Sequence, residues 1–542
     1  MLQNTLTRYR ARFLRRLARR NYQRKNYHPT CGGDCSCETE ICDGKKGLVL
    51  GAYDTCNKGE YQLTPEGIKF DEKVKGRLTE LLKNSNLKLG SARVFNGLGE
   101  FYGVAVTGVG PNDATMNSKE TLNECKENIR IAAAVGAKAL QDQTVENILV
   151  EEFTNGEAAA EGAILGLWRF EEFRNEEERE TRPKVALYGD NANKDLWIQG
   201  VIKARAQNLA RRLEDLPANI LTPREFVKAA LYYLCPCGVN VQVRDYKWIQ
   251  KQGMNALFNM AKGSCAVPYF LELTYCGGSD TEKPVVMVGK GVTFDSGGVC
   301  LKKCKGMDEY RADMGGAAVV VGALKAIAQL KVPLNIVGLI PLFENMISGS
   351  AIHPGDVVLS MDDRTILVED TDNEGRVAMA DALVYSNRFN PSLVVSVATL
   401  TPGIRKALGS GGAGAYTTDD AIWDELKIAG ADTGDRTIRL PIWNYYRQRN
   451  KMSVTADMHN VGQDGSWDGD TALGASFLYE FAPSCADFLH LDITGVGMLT
   501  TGLIPYYRKG YMTGRPTRTV IQFIKQMATP GQDNQSPCTP PA

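Results

Sequence analysis

The sequence predicts an α/β protein with two domains: a smaller N-terminal α/β domain, and a larger C-terminal α/β domain with a mixed, mostly parallel central sheet flanked by helices. At 542 residues the chain exceeds the size at which one hydrophobic core keeps growing, so two or more domains are expected. Short apolar segments typical of strands alternate with segments typical of helices, which is the pattern of a sheet covered by helices. The composition, 43% hydrophobic and 23% charged, is that of an ordinary globular protein.

The first segment, residues 1–30, has the composition of a mitochondrial presequence. Up to Gly33 every charged side chain is an arginine or a lysine, and apolar residues recur every three or four positions from Leu2 to Leu17. A helix with this pattern has one apolar stripe and a basic remainder. We therefore expect a mitochondrial matrix protein. The alternatives are a basic arm for nucleic acid or a membrane-surface helix, and a cytoplasmic location; the presequence is favoured because nothing downstream continues the basic character.

Residues 31–47 form a cysteine-rich linker. Four cysteines fall in CGGDCSCETEIC, namely Cys31, Cys35, Cys37 and Cys42. Their spacing is not a paired C-x-x-C pattern of the kind that indicates zinc, so a mobile segment with thiols is favoured over a metal-bound one. Their role stays open.

The N-terminal α/β domain is predicted to span residues 48–190. Strand-like segments such as GLVLGAY and FYGVAVTGVG alternate there with helix-like segments such as CKENIRIAAAVGAKALQ. A long amphipathic stretch over residues 191–216 ends before Pro217, and it predicts a helix that connects the two domains.

The larger domain is predicted to span residues 217–527, followed by a flexible tail over residues 528–542. Its strands are predicted at KPVVMVG, LNIVGLIPL, SLVVSVATL and FLHLDITGV. Ligands of such sheets bind where strands end and loops begin. No run approaches the roughly 18 apolar residues of a membrane span. The net formal charge of zero gives no support for nucleic acid as a partner.

Charged side chains at the loop edges of this domain are candidate metal ligands: Lys290, Asp295, Asp313, Asp372 and Glu374. Taken singly, each acid also fits a helix cap or a solvated turn, and the lysine fits the surface. Four converging carboxylates would nevertheless be strongly destabilising unless cations balance them. Two divalent metal ions would offset them in number and in charge.

The same segments carry a resemblance to a known family. The strings GKGVTFDSGG, MDEYRADMGGAA, PLFENMISGSAIHPGDVV, DTDNEGRVAMADAL and GRPTRT closely resemble the leucyl aminopeptidase family of two-metal cytosol aminopeptidases, over residues 190–527. The resemblance implies that the larger domain is catalytic, that the protein releases N-terminal amino acids from peptides, and that it assembles as a homohexamer.

The resemblance also implies roles for individual residues. Each of two metal ions would have its own ligand set: Lys290, Asp295, Asp313 and Glu374 for one, and Asp295, Asp372 and Glu374 for the other. The ions would be zinc or manganese, and magnesium also suits part of such a site. Lys302, rather than the adjacent Lys303, would stabilise the oxyanion of the reaction. Arg376 would hold a bicarbonate ion that positions or supplies the base.

Departures from the family pattern surround the expected substrate pocket, which comprises Tyr310, Asp370, Thr399, Leu400 and Pro402. Tyr310 stands in place of a methionine and would narrow the pocket, and Asp370 replaces an asparagine and adds negative charge. Pro402, in TLTPGIRKALG, removes a backbone N–H donor. A longer loop with Trp467, Asp468 and Asp470 would partly cover the pocket.

These departures keep a second function open, that of a catalytically weak or inactive paralogue with a structural role as an abundant hexamer of sperm mitochondria. The aminopeptidase is favoured because no implied metal ligand is missing. A third alternative, a peptide- or DNA-binding regulator, has family precedent but is disfavoured by the neutral body of the chain.

Overall fold

The computed structural model describes residues 43–55, 60–83, 85–190, 192–462, 468–498 and 502–529. The predicted presequence, the four clustered cysteines and nearly all of the predicted tail lie outside the described residues, so those predictions stay untested.

The strands are numbered along the chain: β1 (Lys46–Asp54), β2 (Tyr61–Leu63), β3 (Ala92–Leu98), β4 (Phe101–Gly110), β5 (Met116–Asn117), β6 (Leu122–Asn123), β7 (Asn147–Glu151), β8 (Lys184–Tyr188), β9 (Asn240–Arg244), β10 (Tyr269–Cys276), β11 (Val285–Gly289), β12 (Gly291–Asp295), β13 (Asn335–Asn345), β14 (Asp356–Leu359), β15 (Thr365–Val368), β16 (Leu393–Ala398), β17 (Ala413–Thr417), β18 (Thr437–Leu440), β19 (Met458–His459) and β20 (Asp487–Asp492).

The helices are numbered in the same way: α1 (Pro65–Lys73), α2 (Arg77–Leu82), α3 (Glu124–Gln141), α4 (Gly156–Leu167), α5 (Lys194–Asp215), α6 (Pro223–Leu234), α7 (Tyr246–Lys251), α8 (Asn255–Ala261), α9 (Gly315–Gln329), α10 (Glu374–Ser386), α11 (Pro402–Leu408), α12 (Asp420–Thr433), α13 (Asn444–Arg449), α14 (Asp470–Phe481) and α15 (Thr517–Ala528).

The smaller sheet forms the centre of the N-terminal half. Its strand order is β3-β4-β1-β7-β8, and β2 pairs with β1. The apolar segment KGLVLGAYD forms the central strand β1, which is buried except at its two end residues and runs parallel to β4 and β7. Helices α3 and α4 contribute alanines to the hydrophobic cluster on this sheet, which allows close packing.

The larger sheet has the strand order β18-β17-β20-β16-β11-β13-β10-β9, and β12 pairs with β13. The central strands β20, β16, β11 and β13 run parallel to one another. Strands β17 and β10 are antiparallel to their inner neighbours. Strand β11, VVMVG, is buried throughout, as strands covered on both faces are. The predicted fold class is therefore confirmed.

Two hydrophobic clusters cover the two faces of the larger sheet. Successive side chains of β11 point to opposite faces, so Val285 and Met287 join one cluster while Val286 and Val288 join the other. Helix α9, which is almost entirely apolar, lies in the first cluster, and α10 lies in the second. The starts of α9 and α10 therefore approach the sheet from opposite sides.

Helix α5 joins the two halves of the chain. It begins after Asn193, whose side chain accepts a hydrogen bond from the Leu196 N–H, and it packs against both α4 and α9. Among the described residues, no helix combines the length and apolar character that crossing a membrane requires.

Candidate active site

The ends of strands and the starts of helices bring the predicted ligands to one edge of the larger sheet. Lys290 follows β11 directly, and Asp295 is the last residue of β12. Glu374 opens α10, Asp372 lies two residues before it, and Asp313 lies two residues before α9. Because the carboxyl ends of parallel strands meet at one edge, these five side chains converge where ligands bind in such sheets.

Lys290 connects two of the acids. Its Nζ lies 2.7 Å from Asp313 Oδ2 and 2.9 Å from Glu374 Oε1, and it donates to the Thr399 carbonyl at 3.0 Å. All four residues are buried. Burial alone would lower the pKa of Lys290, but the surrounding carboxylates outweigh it and raise the pKa. A nearby divalent cation would favour the neutral amine that a metal ligand must present.

Lys302 connects the other two acids. Its Nζ lies 2.8 Å from Asp295 Oδ2 and also contacts Asp372 Oδ1. The ring of Tyr310 covers the same ammonium group, with its centre 3.9 Å from Nζ. The adjacent Lys303 is exposed, so the structure brings Lys302 into the cluster and leaves its neighbour outside.

The cluster fits divalent metal ions. One carboxylate oxygen from each of Asp295, Asp372 and Glu374 lies within 4.8 Å of the others. Burial and the charge of Asp295 raise the pKa of Asp372 to about 8, and burial raises the pKa of Asp313 well above its usual range. Glu374 Oε2 is buried and makes no hydrogen bond within the described part of the chain. A crowded set of oxygen donors with one amine suits zinc, manganese or magnesium.

Two residues that sequence reasoning missed shape this cluster. Asn345 Nδ2 donates to Asp295 Oδ1 at 2.8 Å and to the Thr371 carbonyl at 3.0 Å, which fixes the orientation of the carboxylate. A Cβ atom on Gly375 would lie 2.7 Å from Lys290 Nζ, so glycine leaves the space that the lysine occupies. Two signals in the sequence could have identified these residues. Asn345 is a polar residue that ends an apolar strand, and Gly375 is a glycine inside a helix, where glycine is unfavourable.

Three of the predicted pocket residues contact the cluster or its supporting loop. Tyr310 covers Lys302, and Thr399 Oγ1 donates to Asp313 Oδ1 at 2.8 Å. Asp370 Oδ1 accepts from the backbone N–H of Asp372 at 2.9 Å. Asp370 therefore holds the loop that carries a predicted ligand.

Leu400 and Pro402 lie on the segment that follows β16. Leu400 is buried, and its N–H donates to Asp492 Oδ1 at 3.3 Å. Pro402 is the first residue of α11, a position that proline favours. Among the described hydrogen bonds, neither residue contacts a predicted metal ligand.

Arg376 lies two residues after Glu374 and is buried. Its Nη1 donates to the Asn460 carbonyl at 2.9 Å, and its Nη2 lies 3.2 Å from Asp470 Oδ1. The bicarbonate ion predicted at Arg376 fits this arrangement poorly, because the carboxylate of Asp470 already faces the guanidinium group.

Models of known protein families match both halves of the chain. The model described as "Cytosol aminopeptidase family, catalytic domain" matches residues 208–521, and the model described as "Cytosol aminopeptidase family, N-terminal domain" matches residues 49–177. The cytosol aminopeptidase of Xenopus tropicalis is 43% identical over 505 residues, which cover 92% of this chain and 96% of that protein. The cytosol aminopeptidase of Homo sapiens is 42% identical over 499 residues, covering 91% and 94%.

Solved structures agree with these matches. The bottromycin maturation enzyme BotP aligns with a TM-score of 0.76 at 30% identity and covers 89% of this chain and 99% of its own. A structure of BotP in complex with Mn has the same TM-score and identity and covers 90% and 100%. Because the family models match both halves and the relatives match nearly the whole chain, the protein is an aminopeptidase that belongs to the cytosol aminopeptidase family.

Proposed function

We propose that this aminopeptidase uses two divalent metal ions to release N-terminal amino acids from peptides. The observation that carries the proposal is the convergence of Asp295, Asp372 and Glu374, whose oxygens lie within 4.8 Å of one another. The buried Lys290 contacts Glu374, and Lys302, whose side chain is 10% exposed, contacts Asp295. Acids this close are destabilising unless cations balance them.

The ligand sets follow from the positions of the side chains and from the resemblance to the family. Two groups would each hold one ion: Lys290, Asp295, Asp313 and Glu374, and Asp295, Asp372 and Glu374. When bound, two zinc, manganese or magnesium ions supply a Lewis acid and an activated water. Asp295 belongs to both ligand sets. The hydrogen bond from Asn345 holds its carboxylate in one orientation.

Lys302 is positioned to stabilise the oxyanion of the reaction. Its ammonium group is held by Asp295 and Asp372, and nearby carboxylates raise the pKa of Lys302 although burial opposes this. An ammonium donor at the edge of the cluster would stabilise the oxyanion that develops when water attacks a peptide carbonyl.

The test is hydrolysis of a panel of aminoacyl amides by the protein loaded with manganese or zinc. Lys302→Ala should lower kcat by roughly 10²- to 10³-fold, which is the effect of removing one oxyanion donor. Lys303→Ala, its exposed neighbour, is the matched control and should retain activity. Wild-type protein that binds two metal ions per chain and turns over none of the amides would contradict the proposal.

A structural role is the second candidate, and the position of Tyr310 favours it. The phenol ring covers Lys302, and a ring at this position would narrow the space for substrate beside the cluster and slow turnover. In this reading the protein would be a weakly active or inactive hexamer of sperm mitochondria. A kcat/KM within about tenfold of that of a known family member, on any amide of the panel, would exclude the structural role.

Assembly as a homohexamer and location in the mitochondrial matrix belong to the same proposal. The first is supported by the family and the second by the basic, acid-free N-terminal segment. Sedimentation of the purified protein tests the assembly, and imaging of a fluorescent fusion with and without residues 1–30 tests the location.

A further inference from the structure

We propose that Asp470 supplies, from within the chain, the carboxylate beside Arg376 that carries a proton during peptide hydrolysis, so that this protein works without free bicarbonate. The inference rests on the proposed two-metal function and concerns which group accepts the proton from water.

The first support is the ion pair itself. Arg376 Nη2 lies 3.2 Å from Asp470 Oδ1, and the two side chains are 2% and 9% exposed. The backbone carbonyl of Asn460 accepts from Arg376 Nη1 at 2.9 Å, so the guanidinium group is fixed on its other side. A buried, two-sided arrangement of this kind holds the carboxylate in one place.

The second support is the segment that follows β16. Asp470 Oδ2 accepts from the Gly403 N–H at 3.4 Å. Pro402, the residue before it, has no N–H to offer to an anion. The amide available at the start of α11 is therefore already directed at the chain's own carboxylate.

The third support is the local structure that holds Asp470. It is the first residue of α14, where the helix dipole favours a negative charge, and it follows Gly469 in a left-handed conformation. On the next turn, a Cβ atom on Gly474 would lie 3.3 Å from Arg376 Nη2. The glycine lets the helix approach the guanidinium group closely.

Asp470 contacts two segments that adjoin the metal cluster. Arg376, on one side, lies two residues after Glu374. Gly403, on the other side, lies four residues after Thr399, whose carbonyl accepts from Lys290. The carboxylate of Asp470 thus bonds to one residue from each of these two segments.

The charge of Asp470 disfavours a second anion at Arg376. At the guanidinium group, an added bicarbonate would meet the negative charge of Asp470 at short range, where like charges repel strongly in a buried site. Arg376 Nε is the one nitrogen of this group without a hydrogen-bond partner among the described residues. Two of the five guanidinium N–H donors already bind Asn460 and Asp470, so a planar anion would have to share the group with a carboxylate.

The proton balance is simple. As the water oxygen bonds to the peptide carbonyl carbon, one proton passes from that water to Asp470. When the C–N bond breaks, the same proton passes from Asp470 to the leaving nitrogen. Asp470 is ionised again at the end, and no oxidant, reductant or second substrate is needed.

The experiment compares wild type, Asp470→Ala and Asp470→Asn, each loaded with manganese, in bicarbonate-free buffer and with added bicarbonate. Wild-type kcat should not depend on bicarbonate. Both variants should lose roughly 10²- to 10⁴-fold in kcat without it, the usual contribution of a general base. Asp470→Ala, which opens space at Arg376, should recover at least tenfold when bicarbonate is added, whereas Asp470→Asn, which keeps that space filled, should not.

A binding measurement separates this inference from the proposed function. Carbon-13 bicarbonate should show no saturable binding to wild type by NMR and should bind Asp470→Ala, whether or not the protein turns over. Asp424→Ala, an exposed acid on α12, is the matched control and should behave as wild type in both assays. Circular dichroism and metal content should match across all variants. Wild-type activity that requires bicarbonate, or Asp470→Ala that stays fully active without it, would overturn the inference.

Discussion

The ammonium group of Lys302 lies 3.9 Å from the centre of the Tyr310 ring, so one aromatic side chain covers the charge that two carboxylates hold. A cation beside an aromatic face gains about 0.5 to 2 kcal/mol, depending on how far it is desolvated. Tyr310 therefore helps to position Lys302, and we expect it to limit the space available for a substrate side chain.

Replacing Tyr310 should change which substrates are accepted. Tyr310→Met removes the ring and its bulk, and we expect kcat/KM for amides with large first side chains to rise relative to alanine amide by about tenfold, as one or two added methylenes in a pocket do. Tyr310→Phe keeps the ring over Lys302 and should leave the ranking unchanged. An unchanged ranking in Tyr310→Met would show that this residue does not line the pocket.

Asn345 should control metal affinity without binding metal. Its amide orients Asp295, and loss of a residue that orients a ligand typically weakens metal binding about 10- to 100-fold. Isothermal titration of manganese into Asn345→Ala measures this directly. Asn335→Ala, at the opposite end of β13, should bind as wild type does. Equal affinities for all three proteins would contradict the assigned role.

Gly375 should be essential for placing Lys290. Alanine is a better helix former than glycine, so Gly375→Ala would stabilise an unconstrained helix, but its Cβ atom would meet the lysine side chain. We expect a net destabilisation of about 1 to 3 kcal/mol, as for overpacked cores, together with weaker metal binding. Gly349→Ala is the matched control, because a Cβ atom there would have no neighbour within 4 Å. A fully stable Gly375→Ala protein with normal metal affinity would disprove the packing argument.

Glu151, far from the cluster in the smaller sheet, should make stability depend on pH. It is buried and accepts from Thr64 Oγ1 at 2.7 Å, and burial raises the pKa of Glu151 from 4.5 to about 8. Between these values the folded protein keeps a proton that the unfolded chain releases. The contribution of Glu151 to the free energy of unfolding therefore falls as the pH rises, by about 1.4 kcal/mol per pH unit.

Glu151→Gln isolates this effect, because glutamine has the same shape and no charge. The thermal unfolding temperature of Glu151→Gln relative to wild type should increase steadily from about pH 5 to about pH 8. A difference that stays constant over this range would show that Glu151 does not titrate between the folded and unfolded states.

Hydrophobic patterns predicted the fold class and placed charged residues at loop edges, and the resemblance to the family selected the residues that the structure brings together in the cluster. Asp295, Asp313 and Glu374 stand where apolar strands end or helices begin, and these positions are visible from hydrophobic patterns. The contacts between distant segments were not visible. Asn345 reaches Asp295 across neighbouring strands, and Arg376 meets Asp470 across 94 positions of the chain, so only the folded arrangement brings them together.

Asp370 shows the limit of position-by-position reasoning. As an extra acid near the pocket it suggested added negative charge beside the substrate. In the structure its carboxylate accepts hydrogen bonds from the Asp372 N–H and from Asn373 Nδ2, so much of its hydrogen-bonding capacity serves the ligand loop. The backbone conformation that allows this bond is not encoded in the identity of one residue.

The most direct test of the two-metal account is to measure metal content and turnover in the same preparation while manganese or zinc is added to metal-free protein. Elemental analysis should reach two ions per chain, and hydrolysis of an aminoacyl amide should reach its maximum only when the second ion is bound. Asp372→Asn, which removes a ligand of one ion only, should bind one ion tightly and stay nearly inactive. Maximal turnover with a single ion per chain, or none with two, would contradict the account.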